Sequence, residues 1–120
     1  MKKEVILKNY DEYSEIANYA FNNKKYNAAV TLYYKSLVEL CDLNLLKKIN
    51  KVGATHTERF NLLKNFDPEL YRISSKLFRF YRDSYSKEIS PVVAKLVKEN
   101  VEKAKRIVFE KKDKELDKEE

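Results

Sequence analysis

The chain has 120 residues, and its 25 Lys and Arg against 19 Asp and Glu give a net charge of +6. One Gly, two Pro and no alternation of β-branched with polar residues exclude a strand-rich fold and favour long helices in one domain. A single Cys excludes an intrachain disulfide framework, and the longest uncharged run, 26–34, is far below the ~20 residues of a membrane span. We therefore predict an all-α, cytoplasmic protein with no membrane segment.

The first half of the chain predicts a helical hairpin. One helix is expected from about Lys8 to Asn23 and a second from about Tyr26 to Lys48, because apolar residues recur every three or four positions in both. The stripe of the second helix consists of Tyr26, Ala29, Val30, Tyr33, Leu37, Leu40 and Cys41. Since a short polar turn joins the two helices, we expect them to pack antiparallel.

A loop and a short helix follow the hairpin. The loop, from Asn50 to Thr57, contains the only glycine. A third helix is predicted from about Glu58 to Asn65, with Thr55 or Thr57 as its cap, because a threonine oxygen accepts from the first free backbone N–H groups of a helix.

Two further helices start at proline signals. Asp67 precedes Pro68 and is expected to cap a fourth helix that runs to about Lys87. The pair Ser90-Pro91 starts a fifth helix that continues to about residue 112. Residues 1–112 are therefore predicted to form one up-and-down bundle of four long helices and one short helix, followed by a solvated, charged tail at 113–120.

The predicted fourth helix carries a line of side chains that its core face does not need. The line contains Tyr71, Phe78, Arg82 and Tyr85, and Arg79 lies nearer the side opposite the core. One interpretation is packing against another helix or a second copy, with the apolar stem of Arg82 in contact. The other is ligand binding, in which the rings stack on bases and the arginines hold phosphate. Both hold if a dimer interface is also the ligand cleft.

His56 is the only histidine, and we place it in the loop before the third helix, where capping or a loop hydrogen bond is its expected role. A metal site would need further ligands at metal-binding spacing, and Cys41 is expected in the core. The sequence contains no zinc ribbon, glycine-rich phosphate loop or nucleophile elbow. We therefore expect neither a metal nor a cofactor.

In order along the chain, YNAAVTLYYKSLVEL on the second helix, His56 opening the next segment and FYRDSY late in the fourth resemble the HEPN (higher eukaryotes and prokaryotes nucleotide-binding) superfamily. The similarity spans roughly residues 10–109 and is closest to small stand-alone prokaryotic members. It implies a bundle of four to five helices, commonly a homodimer. Active ribonuclease members carry an arginine, a polar residue and then a histidine. Arg82-Asp83 matches, but positions 87, 88 and 89, where the histidine belongs, are Lys, Glu and Ile.

The resemblance therefore implies a cleft without the ribonuclease chemistry. The expected function is non-catalytic binding of a nucleotide, RNA or a nucleotidyltransferase partner, in a toxin–antitoxin-like system. Arg82 is expected to hold phosphate with help from Arg79, Asp83 to orient Arg82 or a ligand hydroxyl, and Tyr85 to stack. The candidate ligand-binding residues are Arg79, Arg82, Asp83, Tyr85, Tyr34 and His56.

A second resemblance points to a different class of function. The stretch EIANYAFNNKKYNAAVTLYYKSLVEL is similar to a tetratricopeptide hairpin and to a microtubule-interacting-and-transport domain. Its small alanines near the turn allow two helices to approach closely. This alternative implies a protein–protein interaction module with no nucleotide ligand.

Overall fold

The computed structural model describes the backbone of residues 2–119 and the side chains of residues 2–110. It contains five helices: α1 Lys2–Asn22, α2 Tyr26–Ile49, α3 His56–Phe66, α4 Pro68–Asp83 and α5 Pro91–Glu119. No strand occurs within residues 2–119, so the predicted all-α class is confirmed. The up-and-down order of four long helices and one short helix stays a prediction. No helix in this part of the chain is both long and apolar enough to cross a membrane.

Helix α2 is the centre of the fold, because each of the other four helices packs against it. Its apolar residues occupy more than one face, which is typical of a helix surrounded by others. The fully buried apolar residues of α2 include Ala29, Val30, Leu37, Leu40, Cys41 and Leu45. Burial raises the pKa of the Cys41 thiol, so this cysteine stays protonated in the core.

The first and last predicted helices are longer in the structure. Helix α1 begins at Lys2 rather than Lys8, because Ile6 is only 8% exposed and packs into the core together with Tyr10. This burial stabilises two additional turns whose Val and Ile have a low intrinsic helix propensity. Helix α5 continues through the predicted tail to Glu119, and Glu120 lies outside the described residues.

Helix α4 ends at Asp83, four residues before the predicted end, because Asn27 of α2 binds the backbone beyond it. The Asn27 amide donates to the carbonyl oxygens of Ser84 at 3.0 Å and Lys87 at 2.6 Å. Its Oδ1 accepts from the backbone N–H of Ile89 at 3.0 Å. The turn formed in this way places the Ile89 side chain in the core.

The caps of α3 and α4 follow local chemistry, as the sequence predicts. Thr55 Oγ1 accepts from the backbone N–H of Glu58 at 3.1 Å, and Asp67 Oδ1 accepts from that of Leu70 at 3.3 Å. Asp67 is buried, and its Oδ2 also accepts hydrogen bonds from Asn44 and Lys48 of α2. Its carboxylate thus joins the α3–α4 junction to the central helix.

Gly53 is required by a close approach and not by its backbone angle. Among the described residues, the left-handed conformations belong to Lys24, with φ 60°, and Asn50, with φ 55°. A Cβ on Gly53 would lie 2.5 Å from Cβ of Arg59 and 2.8 Å from its Cα, which is closer than such atoms approach. The glycine therefore allows the α2–α3 loop to lie directly on α3.

Candidate functional site

Aromatic rings from α2, α3, α4 and the following turn form one ring cluster. Its members are Tyr34, His56, Phe60, Phe78, Tyr81 and Tyr85. Tyr34 and Tyr81 stack with ring centroids 4.6 Å apart, and Phe78 lies 5.1 Å from the His56 ring and 5.3 Å from Phe60. Tyr85 meets Tyr81 edge to face at 5.4 Å. The cluster brings together three of the predicted site residues, from positions far apart in the chain.

The predicted loop position of His56 is wrong, because His56 is the first residue of α3. Thr55 caps the helix one residue earlier, so the imidazole turns inward onto the rings of Tyr34, Phe78 and Tyr81. Burial lowers the pKa of His56, and the positive charges of Arg59 and Lys35 lower it further. The ring is therefore neutral at pH 7.

We expect His56 to titrate below its ordinary pKa of 6.5 in the folded protein. The unfolded chain then takes up the proton first, so stability should fall as the pH drops through 6.5 toward the folded pKa. Following the imidazole C–H signals by NMR measures the folded pKa. Urea unfolding of the protein and of His56→Gln across pH 5–8 should give the wild type the steeper fall. Parallel curves for the two proteins would contradict this.

A buried ion pair between α2 and α3 lies next to the ring cluster, and it was not predicted from the sequence. Arg59 Nε lies 2.9 Å from Asp42 Oδ1, and one terminal nitrogen of Arg59 lies 3.1 Å from Asp42 Oδ2. The same nitrogen donates to the Gly53 carbonyl at 2.7 Å, and the Gly53 N–H donates to Asp42 at 3.1 Å. The sequence does contain one indication of this pair. Asp42 lies between Cys41 and Leu43 among the apolar residues of α2, and a buried charge needs a partner.

The four predicted residues around the end of α4 do not converge on one point. Arg82 lies over the Phe78 ring at 5.3 Å, whereas Arg79 lies over Phe80 at 4.7 Å. Asp83 pairs with Lys87 at 3.6 Å. Tyr85 lies beyond the end of α4, is 65% exposed, and has its hydroxyl 3.0 Å from that of Tyr81. Tyr85 therefore belongs to the ring cluster and Arg82 borders it, while Arg79 and Asp83 lie apart from it.

Between the acids at its two ends, Glu69 and Asp83, the exposed side of α4 carries four cations and no acid. Arg72, Lys76, Arg79 and Arg82 follow one another at intervals of four, three and three residues, which places them on one face. We call this set the α4 basic face. No acid occurs from Leu70 to Arg82, and none of the four cations belongs to an ion pair within the described side chains. Arg79 and Arg82 were predicted from the sequence. Arg72 and Lys76 were not, although the absence of acids from Leu70 to Arg82 can be read from the sequence.

A cleft of about 260 Å³ opens beside the ring cluster. Residues from α1, α2, α3, α4 and the α2–α3 loop line it, among them Lys35, Glu39, His56 and Tyr81. Burial raises the pKa of Glu39, and the negative charge of Asp42 adds to that shift. A second groove, of about 540 Å³, lies between α1 and α5 and contains none of the predicted site residues.

Within residues 2–110, whose side chains the structure describes, no group of three or more His, Cys, Asp or Glu lies close enough to hold a metal ion. No family model, curated protein or solved structure matches the chain. The resemblance to the HEPN superfamily therefore stays a prediction, and the functional argument depends on the α4 basic face, the ring cluster and the cleft.

Proposed function

We propose that the protein binds single-stranded RNA without cleaving it, with the sugar–phosphate backbone along the α4 basic face. The observation that carries the proposal is the row of four exposed, unpaired cations at helical spacing in the described part of the chain. Exposed arginine and lysine side chains that are not paired with an acid supply the electrostatic attraction by which proteins bind phosphate backbones.

A comparison with α5 supports a ligand for α4 rather than general solubility. On α5 glutamates lie among the exposed cations, and two lysines pair with them, Lys95 with Glu99 and Lys98 with Glu102. Such i,i+4 pairs are the usual way in which a solvated helix balances its charge. Helix α4 has an equally exposed basic side with no acids among its cations. Its positive charge is therefore available to an anion from solution.

The neighbouring rings favour a single strand over a duplex. Phe78 and Phe80 support the guanidinium groups of Arg82 and Arg79, which restricts these side chains before a ligand arrives. Tyr85 presents a largely exposed ring at the end of the same face. Exposed aromatic rings beside cations are typical of proteins that stack unpaired bases. Tyr85 is therefore assigned a stacking role, as the sequence predicted.

The non-catalytic part of the proposal follows from the residues after Arg82. The resemblance requires a histidine at position 87, 88 or 89, and these are Lys87, Glu88 and Ile89. None of these three side chains replaces an imidazole as a general acid or base at neutral pH. The contacts of the turn also support a non-catalytic role, because the Ile89 side chain is buried in the core and Lys87 pairs with Asp83.

The test compares two double variants that remove the same charge. Arg79→Ala/Arg82→Ala removes two cations from the α4 basic face, and Lys103→Ala/Arg106→Ala removes two exposed cations from α5. Fluorescence anisotropy with a labelled U-rich octamer measures the affinity. The Arg79→Ala/Arg82→Ala variant should bind about tenfold more weakly at physiological salt. The steepness of its plot of log affinity against log salt concentration should fall by about 1.4. The second variant should change little. Equal losses in both variants would contradict a site on α4.

The expected homodimer and nucleotidyltransferase partner stay predictions, as does the alternative of a peptide-binding module. The alternative has a distinct outcome in the same experiment. If peptide binding is the function, the Arg79→Ala/Arg82→Ala variant should capture its protein partner as well as the wild type does, and neither protein should bind RNA in a way that depends on α4.

A further inference from the structure

The cleft lies next to the path that a bound strand would follow along α4. Tyr81 lines the cleft, and Arg82 is the next residue in the chain. The Arg82 guanidinium lies against Phe78, and the same Phe78 ring contacts His56, which also lines the cleft. A strand whose phosphate contacts Arg82, at the end of the α4 basic face, is therefore close enough to the cleft for one of its bases to enter.

The walls and size of the cleft suit one flat, aromatic group. Tyr13, His56 and Tyr81 contribute to its lining, and Tyr34, which also borders it, is buried with its ring stacked on Tyr81. Its volume of about 260 Å³ is below the roughly 300–1,000 Å³ of pockets that enclose whole drug-sized ligands. A single base fits such a space, with its ribose and phosphate outside. Stacking between aromatic side chains is the common way in which proteins hold a base turned out of a strand.

The charges inside the cleft balance, which disfavours a phosphate as the occupant. The Arg59 guanidinium is neutralised by Asp42, and the imidazole of His56 is uncharged at pH 7. This leaves one positive group, Lys35, and one negative group, Glu39. They lie four residues apart on α2, yet neither belongs to an ion pair within the described side chains. The cleft therefore offers a separate donor and acceptor to a neutral, polar ring.

The hydrogen-bonding capacities of these two groups select among the bases. A carboxylate only accepts, through two oxygens, and an ammonium only donates. Asn9 lies near the Glu39 carboxylate and partly offsets the rise in its pKa. A carboxylate accepts through two oxygens, so acceptor capacity remains for a ligand. Guanine presents two adjacent donors, N1–H and the N2 amino group, beside the O6 acceptor. Adenine, cytosine and uracil do not place two adjacent donors on that edge.

We propose that the cleft binds a guanine base of the RNA, with Glu39 accepting from N1–H and N2–H and Lys35 donating to O6. The proposal rests on the proposed function, because α4 brings the strand to the opening. Burial of Glu39 without a full set of donors disfavours its charged form, and two N–H donors from guanine would offset this.

The test uses U-rich octamers that carry one central guanosine, inosine or adenosine, since inosine lacks only the N2 amino group. The wild type should bind the guanosine octamer at least about fivefold more tightly than the other two. Glu39→Gln should remove this preference without weakening the all-uridine octamer, because it also removes a negative charge. Glu15→Gln, at an exposed position on α1, should keep it. Binding of all octamers with equal affinity, or a preference that survives in Glu39→Gln, would overturn the guanine assignment while leaving RNA binding intact.

A second measurement separates the cleft from the α4 basic face. In an amide NMR titration, GMP should shift the signals of Ala54, Thr55 and His56 more strongly than IMP or AMP, and Glu39→Gln should abolish the difference. These shifts should persist in the Arg79→Ala/Arg82→Ala protein. If RNA fails to bind but GMP still shifts these amides selectively, the proposed function is wrong and the cleft assignment stands. If GMP and IMP give equal shifts, or none, the cleft assignment is wrong.

Discussion

Arg59→Met is expected to lower the free energy of unfolding by roughly 3–5 kcal/mol, because it leaves the Asp42 carboxylate buried without its partner. The two side chains are only 10% and 11% exposed, and their contact is bidentate. Two buried polar groups of Gly53 complete the same network. Urea denaturation at pH 7, followed by far-UV circular dichroism, measures the loss.

Two control variants test the physical reason. Asp42→Leu/Arg59→Met removes both charges, so it should be less destabilised than Arg59→Met alone. It should not regain wild-type stability, because the N–H and carbonyl of Gly53 then lose their partners. Lys95→Met breaks an exposed pair with Glu99 and should change stability by about 0–1 kcal/mol. If Arg59→Met lost no more than Lys95→Met, the structural role of the buried pair would be refuted.

Asn27→Ala is expected to be destabilised by about 2–3 kcal/mol, since each of its three hydrogen bonds contributes about 1 kcal/mol. The bonds end α4, shape the turn that holds Tyr85 and direct Ile89 into the core. The loss should therefore appear in two measurements. Thermal or urea unfolding should show the lower stability, and NMR should show line broadening of the amides from 84 to 89.

Asn23 provides the matched control for this prediction. It is an exposed asparagine whose side chain makes a single hydrogen bond, from Nδ2 to the Tyr19 carbonyl at 2.8 Å. Asn23→Ala should change stability by at most about 0.5 kcal/mol, as is usual for a surface substitution. Equal losses of stability in the two variants would contradict the proposed role of Asn27. So would unchanged NMR amide signals for residues 84–89 in Asn27→Ala.

The link between Asn27 and Tyr85 also bears on the proposed function. The Asn27 amide fixes the backbone on both sides of Tyr85, and Thr31 of α2 bonds the Ser84 hydroxyl at 2.7 Å. These contacts hold the stacking ring at the end of the α4 basic face without taking part in binding. Loosening them should therefore weaken RNA binding by less than the removal of Arg79 and Arg82 does.

The sequence by itself determined the features that depend on neighbours within about four residues. Asp67 caps α4 as predicted, and Thr55, one of the two predicted candidates, caps α3, because a cap needs only its own side chain and the next backbone N–H groups. The same holds for the bounds of α2, where apolar residues recur at helical spacing. The acid-free run of α4 was equally local, and it contains Arg79 and Arg82 of the candidate site.

Only the tertiary structure decided the features that join distant parts of the chain. Asp42 meets Arg59 across 17 positions, and Asn27 meets Ile89 across 62. The Asn27 contact ends α4 before Tyr85. The packing of α3 and α4 on α2 brings His56 against Tyr34 and Tyr81 and places it in one cleft with Lys35 and Glu39. Periodicity cannot foresee them, because the free energy of a buried charge or a buried backbone N–H depends on which group reaches it after the helices pack. The sequence thus predicted the helices and two cations of the α4 basic face, whereas tertiary packing brought the residues of the cleft together.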